Sequence, residues 1–424
     1  MRIAVIGAGI IGVTTAFELA VDGHDVTVFE RRTAVAEETS FANAGLIAPG
    51  YVTPWAAPGM PAKVARYLLS EHAPVRVSWP LSAADIAWMW KWYRSCEPDT
   101  YAANRSRMQR LAFYSRTRLH DIIEHFGLDF DRSTGYMVML RTDKDQKLVQ
   151  PGLQVLRDAG VTFKEIGPDE ARKIEPALNT DTKFAGAIHL PQDEVGNCRQ
   201  FALLLKNECQ SRGVGFEFNS AVSPLDPATP GSLRVTKPDG QSAQWNFNAV
   251  VVCGGVDSVK LLSSLGLDVP IAPVWGYSIS APIREPLNAP RSAIMDERYK
   301  VAISRMGNRV RVAGSAEIGG APDKKRANSI QTLYKVLHDW FPGAAQLASS
   351  NGAAVQEWKG ARPMLPDGPP LLGATGIPGV WINIGHGSSG WALSCGSARV
   401  VADLMAGRSP DVDVEGLGVE RLAV

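Results

Sequence analysis

Three glycines and one acid carry the first chemistry in this chain. Gly7, Gly9 and Gly12 stand in the spacing G-x-G-x-x-G, directly after the apolar run of residues 3 to 6. Glu30 closes the next apolar run, residues 26 to 29. The glycines allow a tight turn and a close backbone approach to a pyrophosphate. A helix-like stretch runs from Ile11 to Val21, and its start, with Ile10 just before it, offers free N–H groups and a partial positive charge that suit the same phosphates. Glu30 can accept hydrogen bonds from a ribose diol. This pattern predicts a dinucleotide site and leaves NAD and FAD open. Arg31 and Arg32 would suit the 2′-phosphate of NADP, but Glu30 sits awkwardly against that phosphate.

The elements around this site follow from periodicity and punctuation. Residues 37 to 61 are rich in Ala, Gly and Pro and read as a long ordered loop, with Thr39, Ser40 and Asn43 offering hydrogen bonds. Residues 61 to 126 read as helical. Within them Trp88 and Trp92 share one face, and Trp90 lies on another. Lys63 to Arg118 hold ten Lys/Arg against four Asp/Glu, so this segment is either a buried aromatic helix with solvated basic flanks or a contact for an anionic membrane surface. A hairpin turns at Asp239-Gly240. Val250 to Val252 form a buried strand running into Gly254, which can approach the dinucleotide opposite Gly7; Val222 can meet an adenine through its backbone. Residues 271 to 317 alternate as half-buried antiparallel strands. Residues 360 to 373, GARPMLPDGPPLLG, read as a Gly/Pro loop. A strand, GHGSSGW and a long helix follow, and the last residues read as a loose tail.

The expected architecture is α/β plus α+β: a discontinuous Rossmann-like domain (1–60, 187–270 and 357–424) with an inserted domain (61–186 and 271–356) on a mainly antiparallel sheet. The chain has 424 residues and a net charge of +1, which gives no electrostatic case for nucleic acid. Cys96, Cys198, Cys209, Cys253 and Cys395 are scattered, with no C-x-x-C, which argues against a disulfide framework or a structural zinc site and fits a reducing cytosol. No metal site is expected. The opening apolar run is short and broken by glycine, unlike a signal peptide.

Taken together, GAGIIG with Glu30, ETSFANAGLIAPGY, VVVCGG, WKGARPMLPDGPPLLG and IGHGSSGW resemble the D-amino-acid oxidase superfamily of FAD enzymes, closest to the bacterial D-amino-acid dehydrogenase type. The resemblance implies non-covalent FAD. It places Thr39, Ser40, Asn43, Ala44, Gly45 and Leu46 beside the flavin, with Gly385, Gly387, Ser388, Ser389 and Gly390 on its pyrimidine side. It makes Arg362 the carboxylate-binding arginine, whose planar fork can hold a carboxylate through two hydrogen bonds. A salt bridge from Arg362 to Asp367 is the competing expectation. Tyr277, Tyr299, Tyr51 and His386 are further substrate-site candidates, both Tyr277 and Tyr299 on expected sheet strands. One departure is Trp275, where the dehydrogenases carry lysine; it raises the expectation of a cyclic substrate such as D-proline.

The implied reaction is oxidative deamination of a small D-amino acid to a 2-oxo acid and ammonia, with electrons passed to a quinone or other respiratory carrier. The alternatives are an O2-using D-amino-acid or D-imino-acid oxidase, a nicotinamide-dependent dehydrogenase, a tRNA-modifying flavoprotein and a catalytically silent FAD-bearing subunit. The expected location is the cytoplasm, with peripheral contact to the inner membrane left open by the Trp-bearing segment.

Overall fold

The computed structural model describes residues 1–67, 70, 72–348 and 355–423. Its parallel sheet runs in the order Leu371–Ala374, Val380–Ile384, Ala249–Val252, Arg2–Ile6, Asp25–Phe29, Gly215–Glu217, antiparallel only at the first pair. Such strands are apolar throughout because both faces are covered. Ile3, Val5, Val26 and Val28 pack on one side against helices Ile10–Val21, Cys198–Ser211 and Gly390–Met405. Ala4, Ile6, Val250 and Val252 pack on the other, beneath a small antiparallel sheet of Ala221–Val222, Ser232–Thr236 and Ser242–Asn246. Glu18 is fully buried, and Arg118 (2.7 Å) and Arg399 (2.9 Å) neutralise it. This pairing joins the first helix to Pro98–Phe126 and to the C-terminal helix.

The second sheet has ten strands and is mostly antiparallel. Gln356–Met364 lies at its edge, beside Ala272–Pro282, followed by Arg309–Gly319, Val301–Met306, Ala293–Asp296, Ser133–Leu140, Gly186–Val195 and Leu46–Ile47. Helix Ala327–Trp340 packs its apolar stripe, Leu333, Val336, Leu337 and Trp340, on Ile279, Ile303 and Val312.

Four local expectations are corrected. Residues 61–126 hold a strand, Val75–Ser78, paired in parallel with Arg309–Gly319, between helices Met60–Tyr67 and Ala83–Arg94. The start of the expected loop 360–373 is the strand Gln356–Met364; its Gly360 and Pro363 are tolerated because only one side of this edge strand is paired. Gly186–Val195, beside the expected boundary at 187, pairs with Ser133–Leu140 in the larger sheet. The C-terminal segment is docked: Leu417 is fully buried, and Arg421 hydrogen-bonds the Pro369 and Pro370 carbonyls.

Candidate active site

A single cavity of about 1020 Å³ runs from the glycine turn of the parallel sheet to the edge of the larger one. At its first end lie Gly7, Gly9, Ile10, Ile11, Glu30, Arg31, Val222 and Gly254. Gly7 has φ +104 beside the Cys253 carbonyl, and a Cβ on Gly12 would fall 1.8 Å from the Gly7 carbonyl oxygen. Those two glycines are required by the protein itself. Gly9 is not: a Cβ there would meet only Ser40 Oγ, at 3.5 Å. The space over Gly9 is therefore a cradle that no protein atom fills, facing the N-terminus of helix Ile10–Val21. Glu30 Oε2 accepts from the Ala8 amide (2.7 Å) and Oε1 from the Arg32 amide (2.8 Å). The acid braces the turn and keeps further lone pairs for a ribose. Arg31 is paired with Glu38 and with Asp257, each at 2.7 Å.

The middle of the cavity is walled by the loop of residues 39–46. Ser40 Oγ accepts from the Ile10 amide (3.0 Å), capping the phosphate-side helix. Asn43 Oδ1 accepts from the Gly45 amide (3.0 Å), and the Ala44 carbonyl accepts from Ser304 Oγ (2.8 Å). Gly45 and Leu46 line the cavity, and Leu46 enters the larger sheet opposite Val195. Facing this loop is the start of the C-terminal helix. Gly385, Gly387, Ser388, Ser389 and Gly390 all line the cavity, presenting that helix's N-terminal amides and its partial positive charge.

Arg362 occupies the far end. Its Nη1 donates to the Ser315 carbonyl (2.8 Å), and its guanidinium carbon lies 5.9 Å from the Trp55 ring centre. Trp55 Nε1 in turn donates to Ser388 Oγ (3.2 Å). The guanidinium lies against Gly276: a Cβ there would come within 2.5–2.9 Å of its three terminal atoms. Burial lowers the Arg362 pKa to about 10. Among the described residues no carboxylate lies within salt-bridge distance of Arg362, and Asp367, its expected competitor, pairs with Arg421 at 2.7 Å.

The remaining candidates divide. Tyr51 and His386 line the cavity. Tyr51 meets Tyr136 edge-on at 5.8 Å, and burial holds its hydroxyl well above the usual tyrosine range. His386 Nε2 lies 3.0 Å from Ser397 Oγ, and burial pushes its pKa down to about 3, so the ring is neutral. Tyr277 reaches the cavity wall, but its hydroxyl is bound to Glu317, which also pairs with Arg326 and Lys359. Tyr299 is corrected outright. It lies in the turn after Ala293–Asp296, its ring under Arg141 (5.1 Å), and faces a separate small hollow with His72. Trp275 also stands outside the cavity lining, with Lys359 Nζ 4.7 Å above its ring. Cys395 is buried outside the lining, its thiol pushed up to about 12 by burial. Sequence reasoning missed Trp55 and Ser315. The lone large aromatic amid small residues marked Trp55; nothing local marked Ser315, whose left-handed φ of 57 arises where the pairing of two long strands shifts register.

The family model for FAD dependent oxidoreductases matches residues 2–404. The chain belongs to this family. As an FAD dependent oxidoreductase it is similar over its whole length to D-amino acid dehydrogenases: 42% identical to that of Bradyrhizobium diazoefficiens, covering 100% of this chain and 99% of the relative, and 43% to that of Cereibacter sphaeroides, covering 100% and 96%. Among solved structures, the fold of this FAD dependent oxidoreductase matches glycine oxidase from Geobacillus kaustophilus (TM-score 0.74, 20% identity, 99% and 98% coverage) and L-proline dehydrogenase from P. horikoshii (TM-score 0.72, 18%, 100% and 97%). The residues present fit FAD: an unfilled cradle over Gly9 for the pyrophosphate, Glu30 for the ribose, and a helix N-terminus at the other end of the cavity.

Proposed function

We propose that this protein oxidises D-amino acids to 2-oxo acids and ammonia, with FAD held non-covalently and electrons delivered to a quinone or other respiratory carrier. The observation that carries the reading is Arg362, a cation on the cavity wall with a carbonyl but, among the described residues, no carboxylate beside it. A buried guanidinium without an anion is costly, and a substrate carboxylate satisfies it.

Bound FAD supplies a hydride acceptor for the substrate α-carbon. Everything else falls to the chain. Arg362, fixed by the Ser315 carbonyl and Trp55, holds the carboxylate and so sets the direction in which the α-carbon faces the middle of the cavity. Such positioning supplies much of the rate. The amino group must be neutral for its lone pair to assist. The N-terminal amides of Gly390–Met405 would stabilise negative charge on a flavin held at that end of the cavity. Neutral His386 adds no charge there. The imino acid that leaves hydrolyses in water to the 2-oxo acid and ammonia. In this reading residues 1–60, 187–270 and 357–424 hold mainly the cofactor, and 61–186 and 271–356 mainly the substrate. Trp275 lies outside the cavity, so it gives no preference for a cyclic substrate.

The similarity to D-amino acid dehydrogenases supports the choice of D-substrate and of an acceptor other than O2. The test is anaerobic mixing of the yellow protein with a panel of D- and L-amino acids. Bleaching of the flavin band by D-amino acids is expected. Bleaching by none of them, or by L-isomers alone, overturns the reading.

A further inference from the structure

Trp55 has two polar neighbours, and both line the cavity. The Arg362 guanidinium carbon lies over its indole, 5.9 Å from the ring centre, and its Nε1 donates to Ser388 Oγ at 3.2 Å. A cation within about 6 Å of an indole face is attracted by the ring quadrupole, and the indole edge carries a single donor. Ser388 stands in the turn Gly387–Ser389 that leads into helix Gly390–Met405. One side chain thus spans from the carboxylate-binding arginine to the turn before the flavin-facing helix.

The guanidinium is already confined on other sides. A Cβ on Gly276 would lie 2.5 Å from Nη2, 2.6 Å from Cζ and 2.9 Å from Nη1. A point so nearly equidistant from all three lies over the guanidinium plane, not beyond its edge, so one face rests on strand Ala272–Pro282. The Ser315 carbonyl takes one Nη1 hydrogen. Trp55 is framed in turn. Its ring joins the cluster of Val274, Ala316, Ile318 and Met364, and Val52 and Ala56 on either side of it are buried. Pro54 packs on Gly368, where a Cβ would come within 2.8 Å of it. That turn is held by Asp367, whose carboxylate pairs with Arg421 (2.7 Å) and whose carbonyl accepts from Asn104 Nδ2 (3.2 Å). The arginine strand also meets the flavin-side turn through Met364, which bridges to His386 by its backbone and sets its Sδ 2.6 Å from where a Gly387 Cβ would lie. Those contacts hold the backbone of the strand; Trp55 holds the end of the arginine side chain.

We propose that Trp55 is a positioning residue of the substrate site: through its bond to Ser388 it sets the Arg362 guanidinium, and the carboxylate held there, at a fixed place relative to the turn that faces the flavin. The inference rests on the reading of Arg362 as the carboxylate clamp and names the side chain that ties this clamp to the cofactor end of the cavity. It accounts for an indole at this position. Phenylalanine offers the face without the donor, and leucine offers neither. A carboxylate bound on an arginine free to tilt would still bind, but its α-carbon would point less often at the acceptor.

The test uses the FAD-loaded protein and propanoate, a carboxylate with no amino group to oxidise. Propanoate should shift the flavin band of the unmutated protein. In Trp55→Phe its Kd should stay within about threefold, since the ring face remains, while the band shift at saturation shrinks. Anaerobic flavin reduction at saturating D-amino acid should slow by about tenfold in the same variant. Ser388→Ala removes the acceptor and should reproduce both effects. The double variant should be no slower than either single one, because both changes break one bond. Trp55→Leu should in addition weaken propanoate by about tenfold. If Trp55→Phe fails to retain FAD, Ser388→Ala alone decides. A full band shift with unslowed reduction in these variants overturns the proposal, as do rate losses that multiply in the double variant, or no band shift in the unmutated protein. If no D-amino acid reduces the flavin, the proposed function falls, and the propanoate band shift still decides the role of Trp55.

Discussion

The Thr39 hydroxyl donates to the Ala361 carbonyl at 2.5 Å, joining the loop beside the cofactor cavity to the strand that carries Arg362. These two residues stand 322 positions apart. Thr39→Val keeps the shape and removes the bond, at a stability cost of about 1 kcal/mol. Its larger effect is on alignment between cofactor and substrate. Single-turnover flavin reduction should slow by roughly tenfold while the FAD content stays constant. An unchanged reduction rate would show that the strand is aligned by its sheet pairing alone.

Arg362→Met should lower kcat/KM for D-amino acids by about a thousandfold, in keeping with loss of one member of a buried charge pair. Arg362→Lys should recover only part of this, because an ammonium cannot form two parallel bonds in a plane. Steady-state kinetics together with the visible flavin spectrum check that the cofactor is retained.

Gly9 and Gly12 belong to one motif but should fail differently. Gly9→Ala has room, so apo-protein stability should stay within about 0.5 kcal/mol, while FAD retention falls at least tenfold. Gly12→Ala places a methyl on the Gly7 carbonyl oxygen and should lower stability by about 1–3 kcal/mol. Urea unfolding of the apo forms and FAD titration separate the two.

Folded His386 resists protonation until about pH 3, whereas the unfolded imidazole takes up its proton near 6.5. The unfolded state therefore binds more protons between these values, and stability falls as pH falls through that interval. The neutral ring's advantage is fully present above pH 6.5. His386→Gln should flatten this part of the stability–pH curve in thermal melts taken from pH 7 to pH 4. A parallel slope in the variant would assign the acid sensitivity to other groups.

The parallel sheet was legible because its signals are local: residues 3 to 6, three glycines and Glu30 lie within thirty positions, and each constrains the next. The loop of residues 39–46 was legible for the same reason. Arg362 came from the resemblance; its strand was misread because glycine and proline suggest a loop, and only the pairing with Ala272–Pro282 overrides them. Tyr299 failed for the opposite reason. Aromatic residues suit strands, but its neighbours turn the chain there, and Arg141 and Trp340 of the adjacent core decide where the ring goes. Which aromatic face of Ala83–Arg94 is buried could not be told by spacing, since both have the same period; Trp88 is 3% exposed and Trp90 60%. The docked tail depends on Arg421 finding Asp367, a pairing no periodicity records.

Val380–Ile384 pairs with Ala249–Val252, which pairs with Arg2–Ile6. The glycine turn is synthesised well before Ala249–Val252 and Val380–Ile384, so the sheet that holds it gains these neighbours late. Synthesis of Val380–Ile384, rather than of the motif, therefore sets the earliest moment at which the assembled parallel sheet can cradle a dinucleotide.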